Sequence, residues 1–383
     1  MEQRKTKRTI RIFAAASFLN DMGSDMIYPV WPLFVTTFLH ADMAVLGLLD
    51  GLGEALVSLS QAVSGYLSDR IKRRKVFIWI GYLFGSFSRL GYALSTSWQH
   101  LIPFRILDRA GKIRSAPRDA IIADISTDEN RGKNFGLLRT MDNLGAVVGI
   151  IICIVFFKML GYKHLFLLAA IPSAVGALMI LMLIKGRKSG HIRIFKGITF
   201  RDLDRNFRLL LVLSSFFALG AFSYSFLLIF AKGAGFKVGF VPVLYLIFTA
   251  SASLFSLPFG RLSDLIGRKA VMIMSFVLWA LLCALFIFIH HRAVIIAGFV
   301  IYGMHKGALE PVQKTFVSEL SPVSFRASTL GAYQMAVGLC ALPSSVIAGL
   351  LWDKINPSAP FILSLVLTMI AVVMMFFVKG KKG

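Results

Sequence analysis

The amino-acid sequence predicts an all-α integral membrane protein with twelve transmembrane helices in two pseudo-symmetric six-helix bundles. Composition, the spacing of apolar stretches and an internal repeat carry that prediction. Hydrophobic residues make up 57% of the 383 residues and charged residues 16%. Mean hydropathy is +0.74, whereas a soluble domain carries about a quarter charged residues. Apolar stretches of about 20 residues follow one another with short polar breaks, and at ~1.5 Å per residue that length crosses a hydrocarbon core of ~30 Å.

In chain order the expected spans are 11–39, 43–68, 76–96, 98–123, 134–158, 163–184, 209–231, 238–262, 270–289, 293–318, 328–351 and 361–378. The first run begins among basic residues but has no small-residue cleavage pattern, so it is read as a span and not a signal peptide. A basic linker, 185–208, separates an N-terminal bundle, 1–184, from a C-terminal bundle, 209–383. Its amphipathic stretch from Ile192 to Phe200 suits the membrane surface. Cys153, Cys283 and Cys340 stand singly in apolar segments without metal-type spacing, which reads as packing.

The net charge of +23 would point to nucleic acid in a soluble protein, so the placement of the cations decides its meaning. They alternate between loops. Arg4, Lys5, Lys7, Arg8 and Arg11 open the chain, and Arg70, Lys72, Arg73, Arg74 and Lys75 follow the second span. The linker and the tail, with Lys379, Lys381 and Lys382, are basic too, while the opposing loops hold only Lys158, Lys163, Lys232, Lys237, Arg292 and Lys354. The positive-inside rule then puts both termini in the cytoplasm of a cell with a bacterial-type inner membrane. The excess charge is read as topology and contact with anionic membrane lipid, with no role for nucleic acid.

At a constant offset of 195 residues, Gly65, Leu67, Ser68, Asp69 and Arg73 fall on Gly260, Leu262, Ser263, Asp264 and Arg268. Further on, Asp124, Arg131 and Gly136 fall on Glu319, Arg326 and Gly331. Such self-similarity marks a duplicated architecture, with the solute site expected between the halves near the midplane. The repeated loops read GYLSDRIKRRK from Gly65 and GRLSDLIGRK from Gly260. Both resemble the loop signature of the major facilitator superfamily: Gly, three residues, Asp, two residues, then Gly-Arg-Lys/Arg. The second copy is complete through Gly267, and the first has Lys72 in that place. The resemblance implies a cytoplasmic gate formed by Gly65, Asp69, Arg70, Arg73, Gly260, Asp264, Gly267 and Arg268, with Arg131 and Arg326. Gly23 followed by Pro29-Val30-Trp31-Pro32 is similar to an element of proton-coupled exporters in that family. Arg105 and Gly111 resemble its fourth-span arginine element. Gly145 and Gly149 form a small-xxx-small pair without the proline of the antiporter motif.

Charges inside the spans point to the chemistry. Asp21 and Asp25 stand a turn apart in the first span, and Asp50 and Glu54 repeat the spacing in the second. Arg105, Asp108, Arg109 and Lys112 form a stripe in the fourth. Facing lipid, these eight groups would cost about 20–28 kcal/mol, so they face a wet cavity or each other. Structural ion pairs, such as Asp108 with Arg105 or Lys112, are the plain alternative. A carboxylate desolvated at mid-membrane gains proton affinity, which makes Asp21, Asp25, Asp50 and Glu54 the expected proton-coupling groups, Asp25 and Glu54 first. The stripe is expected to contact solute oxygens, together with Tyr224 and Tyr245 and with His305, Lys306 and Glu310 from the tenth span. Arg89, in the third span, has no evident role.

No phosphate-cradling loop, complete dinucleotide motif, zincin motif or nucleophile elbow occurs, so neither enzyme activity nor a cofactor or bound metal is expected. The expected function is secondary transport of a small solute by alternating access, proton-coupled, with export of an organic metabolite or drug ahead of uptake of an anionic nutrient or metal chelate. A receptor on the same scaffold is the alternative from another class. The chain is expected to act as a monomer.

Overall fold

The computed structural model describes residues 2–71, 73–184, 204–289, 291–321 and 326–378, and no strand occurs among them. Most of the expected linker and its amphipathic stretch lie outside these residues. Eight segments among them are helical, long and apolar enough to cross a membrane. One, Gly132–Leu183, has 52 residues, or ~78 Å of helix, enough for two crossings of a ~30 Å core. Its helix α7 (Asp128–Leu183) is interrupted at Gly161, whose φ of 62° suits a residue without a Cβ. The expected break between the fifth and sixth spans falls there.

The first expected span is one apolar run but not one helix. Helix α1 (Glu2–Asp25) ends in a turn, followed by the short α2 (Trp31–Leu33) and a π-helical turn, Phe34–Phe38. Pro29 accounts for the break, since it lacks the N–H that would continue α1, and Pro32 stands in the first turn of α2, where a missing N–H costs nothing. Next come α3 (Met43–Ile71) and α4 (Arg74–Leu94), then α5 (Trp98–Ala110) and α6 (Ser115–Asp124) joined by a 3₁₀ turn, Gly111–Arg114. At that turn Gly111 and Gly81 of α4 meet backbone to backbone: a Cβ on Gly111 would lie 2.7 Å from the Gly81 carbonyl oxygen.

Later elements are α8 (Arg205–Gly220), α9 (Tyr224–Gly233), α10 (Val241–Ile266), α11 (Arg268–Phe288), α12 (Arg292–Leu320), α13 (Arg326–Leu339), α14 (Ala341–Lys354) and α15 (Ala359–Phe376). The gap between α8 and α9 is closed by Ser223, whose hydroxyl accepts from the Ser225 N–H at 3.2 Å as an N-cap.

Packing divides the chain into two compact units, Met1–His40 with Leu56–Arg193 and Ala41–Ala55 with Ile194–Gly383. In the first, α1 packs along α7 and α4 packs on both α5 and α7. Its core gathers Phe13, Ile78, Tyr82, Ile122, Leu138 and Ile180. Gly145 and Gly149 of α7 rest on the α1 backbone at Phe18 and Met22, the close approach that small residues permit where lipid supplies no hydrophobic drive.

In the second unit α12 packs on α10 and α11, and α15 on α8 and α11. The first turns of α3 belong here. Gly51 abuts Leu342 and Gly349 abuts Ala44, and the Asp353 carboxylate accepts from the backbone N–H groups of Met43 and Ala44 at 3.2 and 2.7 Å.

Candidate functional site

In the first unit the turn that follows α1 presents Tyr28 and Trp31 to Arg109 and Arg105 of α5, while Asp21 and Asp25 stand on the last turns of α1. Asp25 is buried and Asp21 half-buried. Arg105 and Arg109, both buried, stack on the aromatic residues of this turn. The Arg105 guanidinium lies 4.4 Å from the Trp31 ring centroid, and that of Arg109 lies 5.1 Å from Tyr28. Desolvated cation–π pairs of this kind contribute about 2 kcal/mol. Asp108 pairs with Arg109 at 3.5 Å and accepts from Ser88 at 3.5 Å. The ion pair expected with Arg105 or Lys112 is thus made with Arg109, while Arg105 stacks on Trp31. Lys112 is half-buried in the 3₁₀ turn.

The charge line continues beyond the residues singled out in the sequence, through Arg114 and Arg118. Arg114 lies 5.0 Å from the Tyr82 ring and 4.0 Å from the Asp21 carboxylate, which also accepts from Asn20 at 2.9 Å. Arg118 donates to Ser17 at 2.7 Å and pairs with Asp119 at 3.0 Å and Asp142 at 3.9 Å. Ser17 in turn donates to Asp142. Arg114 and Arg118 fall inside the expected fourth span, so their mere position was a usable signal. Arg89 now has a place. Its guanidinium donates to the carbonyls of Ala169 at 3.0 Å and Asn20 at 3.1 Å, to Ser24 at 2.8 Å, and to Ser173. It ties α1, α4 and α7 together.

The second unit gathers a different set. Asp50 is buried and accepts from Ser223 at 2.7 Å. Tyr224 meets Tyr245 edge-on with centroids 5.2 Å apart, Tyr245 meets Phe248 at 5.4 Å, and Phe248 meets Tyr302 at 4.7 Å. Lys306 closes this aromatic row 5.9 Å from the Tyr302 ring, within the electrostatic reach of Glu54 and Glu310. Asp50 and Asp25 are sheltered, whereas Glu54 and Glu310 are exposed. His305 is buried at the α11 interface, where its Nδ1 donates to the Ser275 carbonyl at 2.8 Å and its ring packs against Trp279.

The residues expected to form the gate lie chiefly around the junctions of α3 with α4 and of α10 with α11. Arg268 pairs with Asp264 at 2.5 Å and with Glu319 at 3.1 Å, directly after Gly267 with its φ of 92°. In the first unit Arg74 pairs with Asp124 at 2.5 Å, and Arg73 is exposed. Asp124 and Glu319 are repeat partners. Lys75 donates to the Leu181 carbonyl at 2.7 Å and Lys269 to that of Phe376 at 2.9 Å, again repeat-related acceptors. The structural counterparts of Arg268 and Lys269 are therefore Arg74 and Lys75, one residue later than the sequence offset suggests, so the first loop holds one extra residue. The surroundings of Gly65 and the side chains of Asp69, Arg70, Arg131 and Arg326 lie outside the described ones.

The model of the Major Facilitator Superfamily matches residues 13–252 and 208–383. The chain belongs to that superfamily. The MFS-type transporter MJ1317 of Methanocaldococcus jannaschii is 34% identical over 98% of this chain and 96% of its own length. Citrate exporter 1 of Aspergillus niger is 28% identical over 45% of this chain and 33% of its own length. Among solved structures, a point mutant of the nucleoside transporter NupG superposes with a TM-score of 0.79, covering 96% of this chain and 98% of that one at 16% identity. This major facilitator protein is therefore a multi-pass membrane transporter of small molecules and not an enzyme.

Proposed function

We propose that this protein is a proton-coupled secondary transporter that exports an organic metabolite or drug across a bacterial-type inner membrane by alternating access. Twelve spans in two six-helix bundles, 1–184 and 209–383, joined by the basic linker 185–208, carry the cycle in a monomer with both termini cytoplasmic. The observation behind the reading is the buried carboxylate Asp25 at the break in the first span, on the same turn as Tyr28 and Trp31, on which Arg109 and Arg105 stack. A carboxylate sheltered from water binds a proton more readily, and neighbouring guanidinium groups oppose that, so arrival or departure of a solute can tip the balance.

Asp25 and Glu54 carry the proton in this reading, the sheltered Asp25 with Asp21 in the first unit and the exposed Glu54 with Asp50 in the second. Arg105, Asp108, Arg109 and Lys112 hold solute oxygens in one unit. In the other, Tyr224, Tyr245, Lys306 and Glu310 offer aromatic faces and charge, with His305 behind them. Asp264, Gly267 and Arg268 form the inner gate with Gly65, Asp69, Arg70, Arg73, Gly260, Arg131 and Arg326. Export is favoured by the proline element at Pro29 and Pro32 and by the partial likeness to a citrate exporter. The cationic line Arg105, Arg109, Lys112, Arg114 and Arg118 supports a second reading, uptake of an anionic nutrient or chelate.

Proteoliposomes carrying an imposed pH gradient test both. In the first reading, candidate metabolites move uphill against the proton flux, Asp25→Asn and Glu54→Gln lose the response to the gradient, and solute counterflow persists. Unchanged pH-driven transport in both variants would remove the proton assignment, and the absence of any uphill movement would favour a receptor.

A further inference from the structure

A groove of about 350 Å³ runs between the N-terminal turns of α1 and the last turns of α7, and its lining shares no residue with the charge line described above. It is lined by Lys7, Arg8, Arg11, Ile12, Ala15 and Met179. The lining divides by chemistry. Lys7, Arg8 and Arg11 are exposed at the mouth, whereas Ile12 is buried and Ala15 and Met179 are half-buried on the floor. Three cations are gathered within two turns, with no acid among the lining residues. Helical spacing explains the gathering: Lys7 and Arg11, like Arg8 and Ile12, are four residues apart and share a face.

Alongside the groove, α7 shows solvent a purely apolar strip: Leu178, Met182 and Leu183 are 51%, 77% and 44% exposed. In a protein read as membrane-spanning, such a strip is the surface that acyl chains cover. Basic mouth and apolar floor thus follow one another along α1, with the exposed apolar flank beside the floor at the end of α7. A soluble phosphate would find the cations but would have no use for the floor. A nucleic acid would meet the apolar flank unfavourably.

We propose that this groove binds the headgroup of an anionic phospholipid from the leaflet on the Lys- and Arg-rich side. Lys7, Arg8 and Arg11 hold the phosphate, and the upper acyl chain lies on Ile12, Ala15 and Met179. The arginines supply planar, forked donors suited to two phosphate oxygens, and the lysine adds a point charge. Juxtamembrane cations each strengthen binding to anionic lipid by about fivefold, so the three together supply on the order of a hundredfold. The assignment depends on the membrane reading alone and not on the solute or the coupling ion.

Full-length protein in a neutral detergent, titrated with short-chain phosphatidylglycerol or phosphatidylcholine and followed by native mass spectrometry, tests it. Wild type is expected to retain phosphatidylglycerol in preference to phosphatidylcholine, and Lys7→Gln/Arg8→Gln/Arg11→Gln to reduce that preference on the order of a hundredfold. These side chains lie at the mouth, so the variant folds. Met179→Trp keeps every charge but fills the floor, and is expected to weaken phosphatidylglycerol retention as well. Inorganic phosphate at millimolar concentration is expected not to displace the lipid. An undiminished preference in the triple variant overturns the proposal. So does displacement by inorganic phosphate, which would mark a site for a free anion, or full retention in Met179→Trp, which would mark a charged patch without a groove.

Discussion

Replacing Arg89 with methionine tests the claim that this side chain, and no solute, uses the charge buried in the third span. Arg89 is 2% exposed and donates to four acceptors on α1 and α7. Gly23 makes room for it: a Cβ there would collide with the guanidinium and with the Ala169 carbonyl. Breaking a buried charged network costs about 3–5 kcal/mol. Some of this is recovered, because Ser24 also reaches the Asn20 carbonyl at 3.2 Å and Ser173 the Asn20 side chain at 3.0 Å. Loss of the charge also relieves desolvation, which leaves a net cost of about 2–4 kcal/mol. At about 2–4 °C per kcal/mol for a unit of this size, the melting temperature should fall by about 5–15 °C. Tryptophan fluorescence of detergent-purified protein, heated at one scan rate, reads the shift. Arg89→Lys should fall between, since an ammonium cannot span both helices as the guanidinium does. Equal melting temperatures for wild type and Arg89→Met would refute the structural assignment, and loss of solute binding without loss of stability would move Arg89 into the transport machinery.

Further outcomes follow from the same geometry. A double-mutant cycle on Arg268→Ala and Glu319→Gln, read as melting temperature, should give a coupling of about 1 kcal/mol, and Arg74→Ala with Asp124→Asn a similar value. A negligible coupling in Arg74–Asp124 would undo the one-residue shift between the repeats. Asp353→Ala should remove the cap on α3 at a cost of about 0.5–2 kcal/mol and increase amide exchange at Met43 and Ala44, while Asp353→Asn should retain most of it. Trp31→Leu should weaken the hold on Arg105 by about 2 kcal/mol and alter solute affinity more than Trp352→Leu, measured by ligand-induced thermal shift.

The helical fold and its membrane setting were legible in the sequence because lipid imposes a length and a composition that no soluble fold shares. The repeat was legible too, since Gly260, Ser263 and Asp264 match Gly65, Ser68 and Asp69 at an offset of 195 residues. The eight charges in the first, second and fourth spans stood out because hydrocarbon penalises each. Pairing was not legible. Asp108 meets Arg109 at 3.5 Å, and both Arg105 and Arg109 stack on aromatic rings of the turn after α1, contacts set by how that turn meets α5. Asp50 finds Ser223, a residue 173 positions away in the chain.

Arg89 shows where the division lies. That it must be satisfied follows from its charge and its place in an apolar run; that it is satisfied by two carbonyls and two hydroxyls on α1 and α7 follows only from how those helices cross. The same holds for Arg74, which takes the place of Arg73 because the loop before it is one residue longer. Composition and periodicity act locally and can be read along the chain, so they determined the class of protein and the groups that need shelter. Which groups shelter one another depends on distances between helices far apart in sequence, and only the tertiary structure decided that.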